Sequence, residues 1–287
     1  MPNSDKTLPS KWLVSTQWLD EHLDAPDIVV VDGSYYLSTM KRDGHQEYLA
    51  AHIPGAVFFD INKIADMSSN LPHMIPSPEV FSSAMRQLGI GDGQTIVVYD
   101  GLGLFSAARV WWTFRIFGVR EVYILDGGFP KWKAEGRPIE LGETRRTPRH
   151  FTPRFNAGAV AQLNDIQRAL ADKSAQVVDA RSAERFAGKA PEPRPGLPSG
   201  HMPGALNVPY ADIVEDGRLV DLARIREAFK KGGVDLDKPV ITSCGSGVSA
   251  AILTLALDAL GKEPKALYDG SWTEWAGRGD LPIETST

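Results

Sequence analysis

One cysteine, Cys244, is all the thiol chemistry available to this chain of 287 residues. An intramolecular disulfide and a multi-cysteine metal site are both excluded, so Cys244 is either a buried spectator or a reactive thiol. An excess of one charge is also missing. Against 36 Asp and Glu stand 31 Lys and Arg, a formal charge of −5 that gives no overall field for gripping nucleic acid or an anionic membrane. No stretch approaches the roughly 20 apolar residues that span a bilayer. Met1-Pro2-Asn3-Ser4-Asp5-Lys6 lacks the apolar core of a secretion signal, so the expected address is the cytoplasm. No HExxH motif or paired His/Cys spacing points to a metal. What the chain does hold is 43% hydrophobic and 23% charged residues, the composition of a soluble enzyme with packed cores. Its length suits two domains better than one.

The chain repeats itself. His52-Ile53-Pro54-Gly55-Ala56-Val57 returns as His201-Met202-Pro203-Gly204-Ala205-Leu206, and Val30-Val31-Asp32 as Val177-Val178-Asp179. Leu125-Asp126-Gly127-Gly128-Phe129 pairs with Tyr268-Asp269-Gly270-Ser271-Trp272, and Pro138-Ile139-Glu140 with Pro282-Ile283-Glu284. Four matches in one order, at slowly drifting offsets, indicate duplication of a whole domain rather than a short-period solenoid. The expected limits are 12–140 for the first domain, 141–158 for a linker and 159–285 for the second domain. The linker's cluster Thr144-Arg145-Arg146-Thr147-Pro148-Arg149-His150 reads as a solvated or bridging segment, since no aromatic interleaving supports a nucleic-acid patch.

Short β-branched runs predict buried strands at 28–31, 56–58, 95–99 and 122–125, and again at 176–179, 205–207, 239–243 and 266–268. Ser77-Pro78-Glu79 supplies an N-cap and a first-turn proline for a helix reaching about Leu88, with Gly89 as its stop. Further helices are expected at 104–117, 222–231 and 248–260. This alternation predicts two α/β domains, each a mainly parallel sheet with helices on both faces.

The strand ending Ile241-Thr242-Ser243 runs into Cys244-Gly245-Ser246-Gly247-Val248-Ser249 and then directly into a helical run. A thiol is thereby placed at the carboxyl end of a parallel strand and before a helix start, where open α/β sheets bind ligands. Two glycines let backbone N–H groups turn toward the sulfur, and the helix start adds a positive end. Such a setting is expected to suit an anionic sulfur. The alternative is a small buried hydrophobe, but a Gly-x-Gly cradle at a strand-to-helix turn has no packing purpose. The first half keeps the same frame in Asp100-Gly101-Leu102-Gly103-Leu104-Phe105, with a carboxylate where the thiol would be. Loop N–H groups can satisfy that carboxylate, which gives Asp100 a structural role. A nucleophile at Cys244 requires an approach from solvent and an anion-sized hollow beside the sulfur.

These features together resemble the tandem-domain rhodanese/sulfurtransferase superfamily over nearly the whole chain from about Trp12. Within it, residues 244–249 are most similar to the loop of the mercaptopyruvate-using group. Thiosulfate-using relatives carry basic residues after the cysteine, where this chain has Gly245 and Ser246; Ser249 replaces the usual threonine and keeps its hydroxyl. The segment from Asp179 through Arg181 and Arg185, with Pro191-Glu192-Pro193-Arg194-Pro195-Gly196, matches that group as well. The resemblance implies that Arg185 and Arg194 hold the donor's carboxylate and keto oxygens, chemistry that suits the guanidinium fork. Gly245, Gly247, Val248 and Ser249 are implied to complete the substrate loop. Arg181, which the resemblance does not mark, is read as a surface salt bridge. The family's serine, histidine and acid relay maps to Ser246 and His73, with Asn62 at the acid position. Asparagine orients a histidine but cannot act as a carboxylate, and no spacing makes Asp60 its substitute. His52 and His201 read as structural hydrogen-bonding residues.

The implied reaction is covalent. Cys244 takes sulfur from 3-mercaptopyruvate, releases pyruvate and passes the sulfur to thioredoxin, another small thiol, or cyanide in an assay, with no cofactor. Three other readings stand beside it: a thiosulfate sulfurtransferase, a noncatalytic binding module of the same fold, and a cysteine phosphatase. The last needs an arginine closing the loop around phosphate, and the sixth residue after Cys244 is Ala250.

Overall fold

The computed structural model describes residues 8–286; Met1 to Lys6, read above for a secretion signal, lie outside them. Two compact units form. Among the described residues, one gathers 8–68, Ile75–Asn156 and Asp216–Leu219, and the other Ser69–Met74, Ala157–Glu215 and 220–286.

The sheet of the first unit is built from β1 (Leu13–Val14), β2 (Ile28–Asp32), β3 (Val57–Phe58), β4 (Thr95–Tyr99) and β5 (Val122–Leu125), in the order β1-β5-β4-β2-β3. Every neighbouring pair is parallel. All five residues of Ile-Val-Val-Val-Asp in β2 are buried, as expected for a central parallel strand covered on both faces. Its helices are α1 (Thr16–His22), α2 (Gly44–Ala50), α3 (Pro78–Gln87), α4 (Ser106–Ile116) and α5 (Gly128–Ala134). Ser77 caps α3 as the sequence predicts, accepting from the Val80 N–H. Phe59, Phe81, Phe114 and Phe117 form an aromatic core, with the Phe81 and Phe117 rings stacked at 4.0 Å. Phe151 packs edge-on against Phe81, and Thr152 binds Asp92 through both its N–H and hydroxyl. Residues 150–152 of the expected linker therefore lie along this unit.

The second unit repeats the plan. Strands β6 (Val160–Ala161), β7 (Gln176–Asp179), β8 (Leu206–Asn207), β11 (Val240–Ser243) and β12 (Ala266–Tyr268) run in the order β6-β12-β11-β7-β8, all parallel. Two short strands stand outside the five-stranded sheets, β9 (Val214–Glu215) in this unit and β10 (Arg218–Leu219) in the first. Helices α6 (Leu163–Asp172), α7 (Ala183–Phe186), α8 (Leu222–Lys231), α9 (Ala250–Ala259) and α10 (Ser271–Gly277) complete the unit. Trp272, Trp275, Tyr268, Met202 and Ile166 lie in its core.

The repeated motifs have a shared task. His52 and Glu140 exchange backbone hydrogen bonds at 2.9 Å, and His201 and Glu284 do so at 2.8 and 2.9 Å. Each histidine also turns Nδ1 to a backbone carbonyl, of Tyr48 or Phe186, and stacks on that residue's ring. The Pro-Ile-Glu tail of each copy thus closes onto its own His-x-Pro-Gly-Ala turn.

Candidate active site

In each sheet one central strand, β4 or β11, ends in a Gly-x-Gly loop that leads into a helix, α4 or α9. The first copy shows what the frame holds. The Asp100 carboxylate is 1% exposed and accepts from three backbone N–H groups, those of Leu102 at 2.8 Å, Phe105 at 2.7 Å and Ala107 at 2.8 Å. The N-cap residue of α4, Phe105, offers no capping side chain; Asp100 caps the helix from five residues upstream. Burial raises its carboxyl above the ordinary range, and the N–H groups oppose that shift without cancelling it.

In the second copy Cys244 occupies the place of Asp100. Helix α9 starts at Ala250, two residues later than the sequence suggests, because the loop curls through Gly247 at φ +76° before the helix begins. Among the described residues, the N–H groups of Ser246, Val248 and Ser249 have no acceptor. The start of α10 pins the loop from behind. Ser271 Oγ accepts from the Cys244 N–H at 3.2 Å, Trp272 N–H donates to the Cys244 carbonyl, and Thr273 donates to the Gly245 carbonyl through N–H and Oγ1. The Asp-Gly-Ser-Trp turn, legible in the sequence only as a mark of duplication, is the clamp on this loop.

Cys244 is 2% exposed, deeper than a freely reachable nucleophile. Gly245 is the one residue from 240 to 250 that is not buried. A Cβ added there would meet, apart from its chain neighbours, only Arg185 Nη2 at 3.1 Å. The space over Gly245, next to the cysteine, is therefore taken by the tip of a flexible guanidinium and by no backbone atom.

Register explains how Arg185 arrives. Ser243 of β11 pairs with Asp179 of β7, and the Ala180 N–H donates to the Ser243 carbonyl, so the chain after Asp179 runs beside the cysteine loop. Ser182 caps α7, whose last turn carries Arg185. Arg185 donates to Glu192 from Nε at 3.2 Å and Nη2 at 2.5 Å. The Glu192 carboxylate also accepts from Arg181 Nη1 at 2.8 Å. Arg181 is not a surface salt bridge: its side chain is 0% exposed, forks onto Asp179, donates to the Gly200 carbonyl and lies over the Trp272 ring. The sequence alone hides this, because the two carboxylates that stabilise the buried guanidinium are brought together only by the fold.

Arg194 meets His73 in the same unit, with Nη2 lying 3.2 Å from Nε2. A guanidinium has no acceptor, so the imidazole nitrogen accepts and its proton sits on Nδ1. His73 is 6% exposed and holds φ +60°, an uncommon conformation for a side-chain-bearing residue. Ser246, Val248 and Ser249 are buried in the loop at 5, 3 and 8% exposure. The Asn62 N–H donates to Asp60 Oδ1, a local turn. Among the described residues no group of His, Cys, Asp or Glu could hold a metal ion, and no helix is long and apolar enough to cross a membrane.

A family model described as the rhodanese-like domain matches the chain twice, over residues 15–135 and 162–278. The 3-mercaptopyruvate sulfurtransferase of Escherichia coli K12 is 45% identical over 278 residues, spanning 96% of this chain and 99% of that protein. The thiosulfate sulfurtransferase of Bos taurus is 41% identical over 281 residues, spanning 95% and 94%. Among solved structures, SseA from Escherichia coli, described as a 3-mercaptopyruvate sulfotransferase with the rhodanese fold, matches with a TM-score of 0.85. Its identity is 44%, with 91% of this chain and 98% of that chain covered.

Proposed function

Since the chain belongs to the rhodanese family, with two rhodanese-like domains in tandem, we propose that it transfers sulfur from 3-mercaptopyruvate through a persulfide on Cys244 to a thiol acceptor. The observation that carries this reading is the contrast between the two loops: Asp100 fills the donors of the first, while the second leaves donors open beside Cys244 and under Arg185. Similarity to relatives of both donor classes does not choose the donor. The residues after the cysteine do, because Gly245 and Ser246 bring no cation to meet a sulfonate, whereas Arg185 and Arg194 suit a keto acid.

In the first half-reaction the Cys244 thiolate attacks the donor sulfur. The carbon–sulfur bond breaks, its electron pair leaves with carbon as pyruvate enolate, and protonation gives pyruvate. Arg185 and Arg194 hold the carboxylate and keto oxygen, and their charge stabilises the enolate as it forms. His73, by accepting from Arg194, orients that guanidinium, a role that needs no carboxylate at Asn62. Ser246 and Gly247, with Val248 and Ser249, supply the wall and N–H groups around the outer sulfur. In the second half-reaction an acceptor thiolate, of thioredoxin or a small thiol, takes that sulfur and the Cys244 thiolate returns. A chain with one cysteine suits a reducing compartment, and we place the reaction in the cytoplasm.

Mass spectrometry after adding mercaptopyruvate tests the reading: Cys244 gains one sulfur, and Cys244→Ser neither gains it nor releases pyruvate. Turnover by Cys244→Ser would remove the nucleophile. A larger kcat/KM for thiosulfate than for mercaptopyruvate would replace the donor.

A further inference from the structure

Asp32 and Asp179 are the same position of the repeat, each ending the strand next to the loop-bearing one. Asp179 is answered by a buried guanidinium, with Arg181 Nε and Nη2 at 2.9 and 2.7 Å from its Oδ2. In the first unit the arginine position is Ser34, whose N–H donates to Asp32 Oδ1 at 2.9 Å. Asp32 is 3% exposed, and its hydrogen-bond partners, Ser34 and Tyr99, are neutral. Burial without a cation pushes its carboxyl up to about 6. A cavity of about 370 Å³ opens where the arginine is missing. Asp32 and Ser34 line it together with the rings of Tyr36, Tyr48 and Phe129. On its rim Arg42 is engaged by Glu47, at 2.7 Å from Nε to Oε1, whereas Lys133, its Nζ 5.0 Å from the Phe129 ring centre, feels the Glu47 carboxylate without closing an ion pair.

We propose that this cavity binds a small zwitterionic α-amino acid, its ammonium group on the Asp32 carboxylate and its own carboxylate toward Lys133. An ammonium is the cation that replaces an absent guanidinium with three donors, and an aromatic lining favours it. A metal ion is less suited, since no ligand cluster is present among the described residues. The site is separate from Cys244 and does not depend on the sulfur-transfer reading.

Titration of the isotope-labelled full chain with L-alanine, followed by the amide signals of Ser34 and Gly101, tests the proposal, with propionate as the matched ligand lacking the ammonium. L-alanine should give saturable shifts and propionate none. Asp32→Asn should lose them. Ser34→Arg, which restores the repeat's own guanidinium, should lose them too while raising Tm, and it keeps the test decisive if Asp32→Asn fails to fold. Absence of saturable shifts, an equal response to propionate, or L-alanine binding that survives Ser34→Arg would overturn the proposal.

Discussion

Replacing Glu192 with glutamine isolates what holds Arg185 at the cysteine loop. The carboxylate is 2% exposed and answers two guanidiniums, Arg181 through Oε1 and Arg185 through both oxygens. With Asp179, it balances two positive charges by two negative ones. Glutamine keeps one acceptor, which at the Oε1 position still serves Arg181, and turns an NH₂ group toward Arg185 Nη2, so Arg185 loses its shorter bond and both guanidiniums lose the negative charge. Arg181 is fully buried and retains Asp179, whereas Arg185 is 20% exposed and can swing to water. Arg185 is therefore the one released from above Gly245. A hydrogen bond to a charged group contributes about 1.5–3 kcal/mol. Losing one such contact to the donor and to the forming enolate lowers kcat/KM for mercaptopyruvate by roughly 10- to 150-fold, through kcat as well as KM. Pyruvate release measures this, and a denaturant melt separates it from global damage. A Glu192→Gln enzyme with wild-type KM and kcat would refute the claim that this carboxylate positions Arg185. A drop confined to stability would make the network purely structural.

Other variants probe the remaining links. Asp100→Ala leaves three buried N–H groups without an acceptor and should cost about 3–5 kcal/mol in urea unfolding; a change below about 1 kcal/mol would mean that water takes over the cradle. Asp32 titrates near about 6 when folded against an ordinary 3.8, so the folded state binds the proton more tightly between those values and stability falls as pH rises through them. Asp32→Asn should remove a penalty of about 3 kcal/mol at pH 7 and none below about pH 4, read from wild-type and variant melts at both values. His73→Ala should raise KM for mercaptopyruvate while leaving the pH profile of kcat unchanged, because its Nε2 accepts from Arg194; a shifted pH profile would instead support the proton relay.

The central strands were legible because burial on both faces writes them as unbroken β-branched runs, and 95–99, 122–125 and 176–179 match residue for residue. The edge strands β1 and β6 have two residues each and leave no period to read. The Gly-x-Gly loops and the carboxylate role of Asp100 followed from backbone chemistry at a strand-to-helix turn. Arg181 and Glu192 did not, since an arginine's burial depends on which carboxylates the fold delivers to it. The pairing of His73 with Arg194 joins residues 121 apart in sequence and has no local signature. Ser271 and Thr273 carried a signal, the repeated Asp-Gly turn, but its duplication drew attention to ancestry and not to the loop it clamps.

The two copies together say what an anion at this position needs. Three backbone N–H groups surround the Asp100 carboxylate at ideal distances, yet burial still raises its carboxyl above the ordinary range. At this depth, main-chain donors alone do not offset the loss of water. The first loop answers with Tyr36 OH, which would sit 2.0 Å from a Cβ on Gly101, and with Arg42 Nη2 behind it, 3.5 Å from that Cβ and 2.8 Å from the hydroxyl. The second loop puts Arg185 at the matching glycine instead. On the proposed function, that guanidinium, with no ring between it and the loop, is the group that answers the charge of a departing enolate. On the same reading Asp100→Cys should gain no sulfur from mercaptopyruvate, because the Tyr36 hydroxyl fills the space over Gly101 that a donor needs; a persulfide on residue 100 of that variant would refute this.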